Sequence, residues 1–258
     1  MEKIINLGIP HVAELVFDSF DTSDLINYME VSETWKVLAE NVLIKRCKRW
    51  EGKIFEACKT GKTKIVQLLL ECYNAEENRL NVKDQIGRTT ALMHACHNGH
   101  KDVVKLLLYH SEEQSIDLNA KDDIGWTAFT YACGNGHTDV VELLLDHSER
   151  SVDFNAKSLS GWTAFSRACE YGHTDVVKLL LDHSNSNIEL NIRTGCEGRT
   201  PLMIACGAGH KDVIQLLLEH SHKIDLNASD NTGWTAIMYA CGRKHIDVVK
   251  LRLDLEIF

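Results

Sequence analysis

From residue 51 onward the apolar positions fall into short clusters that recur with a fixed layout. One cluster ends in Ala-Cys, as in Trp126-Thr127-Ala128-Phe129-Thr130-Tyr131-Ala132-Cys133. After a Gly-His pair comes a second cluster, Val140, Val141, Leu143, Leu144 and Leu145. This spacing predicts two short antiparallel helices joined by a tight turn. Thr127 stands where its hydroxyl can accept an orphan amide of the first helix, and Asp139 is the expected cap of the second. The second helix is apolar on more than one face, as befits a helix held between neighbours. A polar stretch, His147 to Ser151, and an extended piece, Val152-Asp153-Phe154-Asn155-Ala156, complete the unit.

The unit repeats. Its Gly-His turn recurs at His100, His137, His173, His210 and, in weakened form, His245, with spacings of 37, 36, 37 and 35. An earlier, decayed copy reads Gly61-Lys62-Thr63-Lys64-Ile65-Val66. The predicted division is a separate module at 1–50 and six repeats at 51–80, 81–118, 119–154, 155–190, 191–226 and 227–258. One-residue insertions fall near Thr89-Thr90 and Cys196. No unit is large enough to bury its own apolar face, so the copies must stack. In the last unit Arg252 replaces the middle leucine of the triplet, as a solvated end of a stack requires.

Residues 1–50 lack the repeat. Pro10 precedes an amphipathic stretch with Val12, Ala13, Val16, Phe17 and Phe20. Thr22 or Ser23 can cap a second helix carrying Leu25, Ile26, Tyr28, Met29 and Val31, and Ser32 a third with Trp35, Leu38 and Leu43. Three helices this short are expected to dock on the repeats, on another chain, or on both.

Composition narrows the function. The 258 residues hold 28 basic and 37 acidic side chains, a formal charge of −9, which disfavours a nucleic-acid surface. No apolar run approaches a membrane span, and the start of the chain lacks a secretory pattern. Nine cysteines, an odd number, argue against a fully paired disulfide framework. Six of them, Cys58, Cys96, Cys133, Cys169, Cys206 and Cys241, share one register position and are expected to be small buried apolar residues. Histidines at helix ends, such as His110, His147, His183 and His220, can bond free carbonyls there. The trio His94, His97 and His100 is the one metal-like spacing, and a metal-dependent hydrolase built on it would carry stoichiometric zinc. No phosphate loop, nucleophile elbow or paired-carboxylate motif emerges, so no cofactor and no catalysis are expected.

The repeated units resemble ankyrin repeats. The resemblance rests on Asn119-Ala120-Lys121-Asp122, Gly125, Thr127, Ala132, Gly136-His137, Val140-Val141 and Leu144-Leu145. Proline survives only in Thr200-Pro201-Leu202, and the helix histidine of the family pattern is Met93, Thr130, Ser166, Met203 or Met238, so its hydrogen bonds must be made otherwise. The resemblance implies an all-α solenoid of helix pairs with short β-hairpin loops. It also implies a contact face at the hairpins and the exposed side of each first helix. On that face stand Trp126, Tyr131, Trp162, Arg167, Arg199, Trp234 and Tyr239, of the types enriched at interface hot spots. A second reading of the tryptophans is that consecutive ones pack on one another. Asn119, Asn155, Asn191 and Asn227 sit at the hairpin base, where the family's Asn is structural and sometimes hydroxylated.

Residues 1–50 resemble the F-box, a small three-helix module, through Asp24-Leu25, Val31-Ser32-Glu33-Thr34-Trp35, Leu38-Ala39 and Leu43. That resemblance implies binding to a Skp-type adaptor and through it to a cullin scaffold, with Ile9, Pro10, Val16, Phe17, Leu25, Val31 and Trp35 as the adaptor residues. The chain would then be the substrate-recognition subunit of an SCF-type ubiquitin ligase, cytoplasmic or nuclear, holding an unidentified target on its repeats. The rival expectation is an ankyrin scaffold with a helical cap and no ligase link.

Overall fold

The computed structural model describes residues 53–72, 79–110, 116–147, 152–183 and 187–247. The expected adaptor residues Ile9, Pro10, Val16, Phe17, Leu25, Val31 and Trp35, and the end-cap Arg252, lie outside the described residues.

Five helix pairs and one further helix follow in order: α1 (Lys53–Lys59), α2 (Thr63–Cys72), α3 (Ala91–His97), α4 (Lys101–His110), α5 (Ala128–Gly134), α6 (Thr138–Asp146), α7 (Ala164–Tyr171), α8 (Thr174–Asp182), α9 (Pro201–Ala208), α10 (Lys211–Glu219) and α11 (Ala236–Gly242). Odd-numbered helices pack on one another in succession and form an inner layer. Even-numbered helices from α2 to α10 do the same in an outer layer, with sparser contacts. The described residues form one continuous array of helix pairs.

From α3 onward each inner helix follows a threonine. Thr90, Thr127, Thr163 and Thr200 are extended residues whose side chains accept the amide three residues on. At Thr90, Thr163 and Thr200 the residue donating that amide also closes the cap from the other side. The sulfur of Met93 accepts the Thr90 amide at 3.3 Å, Met203 does the same for Thr200 at 3.4 Å, and Ser166 Oγ takes the Thr163 amide at 2.9 Å. This is a capping box in which methionine or serine replaces the usual glutamate, and it supplies the bonds that the missing family histidine would make.

The outer helices depart from expectation at their starts. Their N-caps are His137, His173 and His210, without side-chain cap bonds. Asp139 lies one residue inside α6, where its carboxylate accepts the Val140 amide at 3.0 Å and meets the positive end of the helix dipole. The histidines leave the cap unmade because their rings serve a different contact, described below. The outer helices bury Val-Val and Leu-Leu pairs, as in Val140, Val141, Leu144 and Leu145, while Leu143, Leu179 and Leu216 are half-buried on a third side. A leucine buried this fully contributes about 1.5–3 kcal/mol.

The loops correct a second expectation. Among the described residues there are no strands, only isolated antiparallel bridges at Thr194–Arg199 and Ser229–Thr235. Each hairpin is reduced to a turn closed by main-chain bonds, for example Asp122 N to Trp126 O at 3.0 Å and Ser158 N to Trp162 O at 2.9 Å. The closed turns span only five or six residues, Asp122 to Trp126 or Thr194 to Arg199, which leaves no length for a paired ladder.

Successive repeats are laced by polar contacts in three rows. In the first, His100, His137, His173 and His210 donate from Nε2 to Lys59, His97, Gly134 and Glu170 carbonyls of the preceding inner helix at 2.8–3.0 Å. In the second, the Asn81, Asn119, Asn155 and Asn191 side chains accept the amides of Asp117, Asp153, Glu189 and Asp225 one repeat later at 2.7–2.9 Å. In the third, the hairpin amides of Asp123, Leu159, Gly195 and Asn231 donate to Gly87, Ile124, Ser160 and Glu197 of the hairpin before. These bonds join polar groups of the main chain and side chains across each repeat boundary, many of them at exposed positions.

A candidate interaction face of hairpins and inner helices

The site is built from the hairpin outward. Asp122 organises one turn with both carboxylate oxygens. Oδ1 accepts the Ile124 and Trp126 amides at 3.0 and 2.8 Å, and Oδ2 accepts the Tyr131 hydroxyl at 2.5 Å. Asp230 does the same, taking the Thr232 and Trp234 amides at 2.8 and 2.9 Å and the Tyr239 hydroxyl. Asp84 accepts the Thr89 amide at 3.0 Å and His94 Nε2 at 2.8 Å. The helix residue nine or ten positions on thus locks its own hairpin. Where the hairpin residue is Ser158 or Thr194, the helix residue is Arg167 or Ile204 instead.

These bonds set the electrostatics. The bond from Tyr239 holds the Asp230 carboxyl well below the usual carboxylate range. Burial works to raise Asp84, but the bonds from Thr89 and His94 outweigh it and keep the carboxyl below its ordinary value. Burial, reinforced by the neighbouring carboxylates, raises the hydroxyls of Tyr131 and Tyr239 above the usual tyrosine range. Neither phenol is poised for acid–base chemistry at neutral pH.

Arg167 joins two repeats. Its guanidinium lies 4.6 Å from the Trp126 ring centroid, 5.5 Å from Trp162 and 4.5 Å from Tyr171. It also pairs with Glu170 and donates to the Tyr171 hydroxyl at 2.7 Å. Trp126 in turn meets Tyr131 edge-on at 5.1 Å, and Tyr131 meets His97 at 5.1 Å. A second cluster holds Arg199, paired with Glu197 and 5.2 Å from the Tyr239 ring, beside Trp234 at 5.3 Å from Tyr239. The seven residues singled out on this face therefore gather in two patches. Trp126 and Trp162 do not touch directly but share Arg167, whereas Trp234 stays 45% exposed.

Two clefts adjoin these patches, and each borders one of the one-residue hairpin insertions. One, of about 570 Å³, lies between hairpins 158–162 and 194–199 and is lined by Leu159, Trp162, Cys196, Glu197, Arg199 and Ile204. The other, of about 360 Å³, is lined by Ile86, His94, His97, Asp122, Ile124 and Tyr131. Sequence reasoning missed the apolar hairpin tips Ile86, Ile124 and Leu159, which are 87%, 51% and 83% exposed. Their signal is an apolar residue inside a turn that otherwise favours Gly, Asn, Asp and Ser.

The metal-like trio is dispersed among other partners. His94 bonds Asp84, His97 Nδ1 accepts from Asn135 at 3.2 Å, and His100 bonds the Lys59 carbonyl. Among the described residues no group of three or more His, Cys, Asp or Glu side chains is arranged to hold a metal ion. Cys58, Cys96, Cys133, Cys169 and Cys206 are buried, and burial pushes the Cys58 thiol up to about 12. Cys241 corrects the expectation of burial. It is exposed, because α11 has no further inner helix packed on its far side among the described residues. No helix among the described residues is long and apolar enough to cross a membrane.

The family profile described as ankyrin repeats matches three times in succession, over residues 51–122, 114–194 and 186–257. The chain belongs to the ankyrin-repeat family. No curated protein matches it. Ankyrin repeats are protein-interaction modules, generally non-enzymatic, and this array has a protein-binding role. The histidines of the Gly-His turns and the Asn rows thus serve inter-repeat bonding, while the threonine caps close the inner helices within a repeat.

Proposed function

We propose that the chain is the target-binding subunit of an SCF-type ubiquitin ligase, with residues 1–50 as the adaptor module and 51–258 as the repeat array. The observation that carries this reading is the motif of residues 24–35, Asp24-Leu25 followed by Val31-Ser32-Glu33-Thr34-Trp35, set outside the repeat pattern and directly ahead of it. Ile9, Pro10, Val16, Phe17, Leu25, Val31 and Trp35 would contact a Skp-type adaptor, which in turn joins a cullin. The hairpins and inner helices would hold the target through Trp126, Tyr131, Trp162, Arg167, Arg199, Trp234 and Tyr239. The chemistry is tethering: a bound target experiences a raised effective concentration of ubiquitin-charged enzyme. Co-purification of full-length chain with a Skp adaptor tests the link, with Trp35→Ala and Leu25→Ala expected to abolish it. Failure of the wild-type chain to retain the adaptor would overturn it.

One observation favours a second reading, an ankyrin scaffold with no ligase link. The ankyrin match begins at residue 51, and both aromatic–arginine patches lie well inside it, between residues 126 and 239. In that case removal of residues 1–50 would leave target binding unchanged and no adaptor would co-purify.

A further inference from the structure

We infer that the partner of the larger cleft is an extended acidic segment of another protein, anchored by one bulky apolar side chain; this rests on the protein-binding reading of the hairpin face. Charge is the first support. The chain is acidic overall, yet its acidity is segregated: the outer helices α6, α8 and α10 carry seven acidic and two basic residues. On hairpins and inner helices from 157 to 242 the balance reverses, to four basic residues against three acidic. Those three acids are already engaged, Glu170 by Arg167, Glu197 by Arg199 and Asp230 by Tyr239. Lys157 and Arg193 are exposed at the bases of successive hairpins and meet no carboxylate among the described residues. A face with this surplus on an acidic protein attracts an acidic ligand and repels copies of its own outer surface.

Shape is the second support. The cleft is opened by the extra residue of hairpin 194–199, and its walls are Leu159, Trp162 and Ile204. Ile204 stands where other inner helices carry His94, Tyr131, Arg167 or Tyr239, so here the floor has no polar side chain to lock its hairpin. Leu159, 83% exposed at the rim, has apolar surface that a folded chain gains by covering. A cavity of about 570 Å³ accepts a large apolar side chain with room for the backbone that carries it.

Spacing is the third. Packed helices lie about 8–10 Å apart, and an extended chain rises about 3.3 Å per residue. Carboxylates two or four residues apart, which share one face of an extended segment, therefore bracket that distance and meet Lys157 and Arg193, with the apolar anchor entering the cleft beside Arg199.

The test is selection of a phage-displayed random-peptide library on full-length protein, followed by affinity measurement of the enriched peptides. The expected peptides carry a net negative charge, acidic residues two or four apart and one Leu, Ile, Phe, Met or Trp. Arg193→Glu, Arg199→Glu and Leu159→Asp should each weaken them about tenfold, while Ile86→Asp at the other cleft leaves affinity unchanged. Leu159 and Arg193 are exposed, so circular dichroism should report an intact fold in both variants. Peptides lost with Leu159→Asp but lacking acidic excess would overturn the acidic class and leave the protein-binding face standing. No enrichment, or peptides insensitive to all three changes, would overturn both. Equal binding of single-stranded DNA, indifferent to Leu159→Asp, would show a polyanion surface and overturn the proposal as well.

Discussion

The imidazole of His137 lies directly over Gly99 of the preceding repeat: a Cβ added at Gly99 would stand 2.5 Å from His137 Nδ1. The same ring is fixed by its bond from Nε2 to the His97 carbonyl at 3.0 Å. Gly61, Gly136, Gly172 and Gly209 meet the histidine of the next repeat in the same way. The Gly-His dipeptide is therefore two halves of a contact between neighbours, in which each histidine closes on the glycine one repeat back.

Gly99→Ala tests that contact. Its φ of 71° strains any Cβ by about 1–2 kcal/mol, and displacement of the His137 ring adds to this. Gly87 provides the control, with φ 82° and nothing within 4 Å of an added Cβ. Urea unfolding should show Gly99→Ala losing at least about 1 kcal/mol more than Gly87→Ala. Adding His137→Ala to Gly99→Ala should recover part of that excess.

Arg167→Ala removes a cation shared by three aromatic rings. A stability loss of about 1–2 kcal/mol is expected, with a red shift of tryptophan emission as Trp126 and Trp162 become wetter. Arg167→Lys keeps the charge but not the planar stacking, so it should recover less than half of the loss.

Tyr131 and Tyr239 each donate to a hairpin aspartate and have raised hydroxyl pKa values. A proton held more tightly in the folded chain stabilises it fully below the unfolded tyrosine value near 10. That stabilisation is lost as pH rises further. Phenolate absorbance should show Tyr131 and Tyr239 titrating late, coincident with alkaline unfolding. Tyr131→Phe and Tyr239→Phe should each remove one late phase.

Asp230 and Asp84 run in the opposite direction. Their folded pKa values lie below the ordinary 3.8, so they stabilise the fold above that pH and the contribution is lost as pH falls beneath it. Acid unfolding monitored by circular dichroism should therefore flatten in Asp230→Asn, which lacks the titrating group.

Thiol labelling separates the cysteine column from its exceptions. In native protein Cys196 and Cys241 should react with a thiol reagent, while Cys58, Cys96, Cys133, Cys169 and Cys206 should react only on unfolding. Peptide mapping of the labelled sites checks this directly.

The stacked helices were legible in the sequence because every layer repeats one pattern. Val-Val and Leu-Leu mark the outer helices, Ala-Cys the inner ones, and Thr127 the cap. What the sequence could not show was which atom each histidine answers to. His137 was expected at a turn, but its carbonyl partner lies 40 residues away in another repeat. Position alone also suggested a cap for Asp139, while the histidine's reach across the boundary decides where the helix starts. The site was legible as a set of residues but not as two patches. Trp126 and Trp162 come together only through Arg167, a contact set by the stacking of successive repeats.

The lacing between repeats is biased in direction. Histidine rings, hairpin amides and the amides bound by asparagine donate from the later repeat to the earlier one, while Lys83, Lys121, Asn155 and Asn191 donate from their side chains in the opposite sense. A chain shortened from its C-terminus therefore uncovers mainly carbonyl oxygens and Asn acceptors, with a few Lys and Asn side-chain donors, all of which water satisfies readily. One shortened from the front uncovers N–H donors, the groups that proteins least often leave unpaired. During synthesis, each newly emerged repeat meets a finished edge of acceptors and can dock at once, so the array is suited to being laid down in the order in which it is translated.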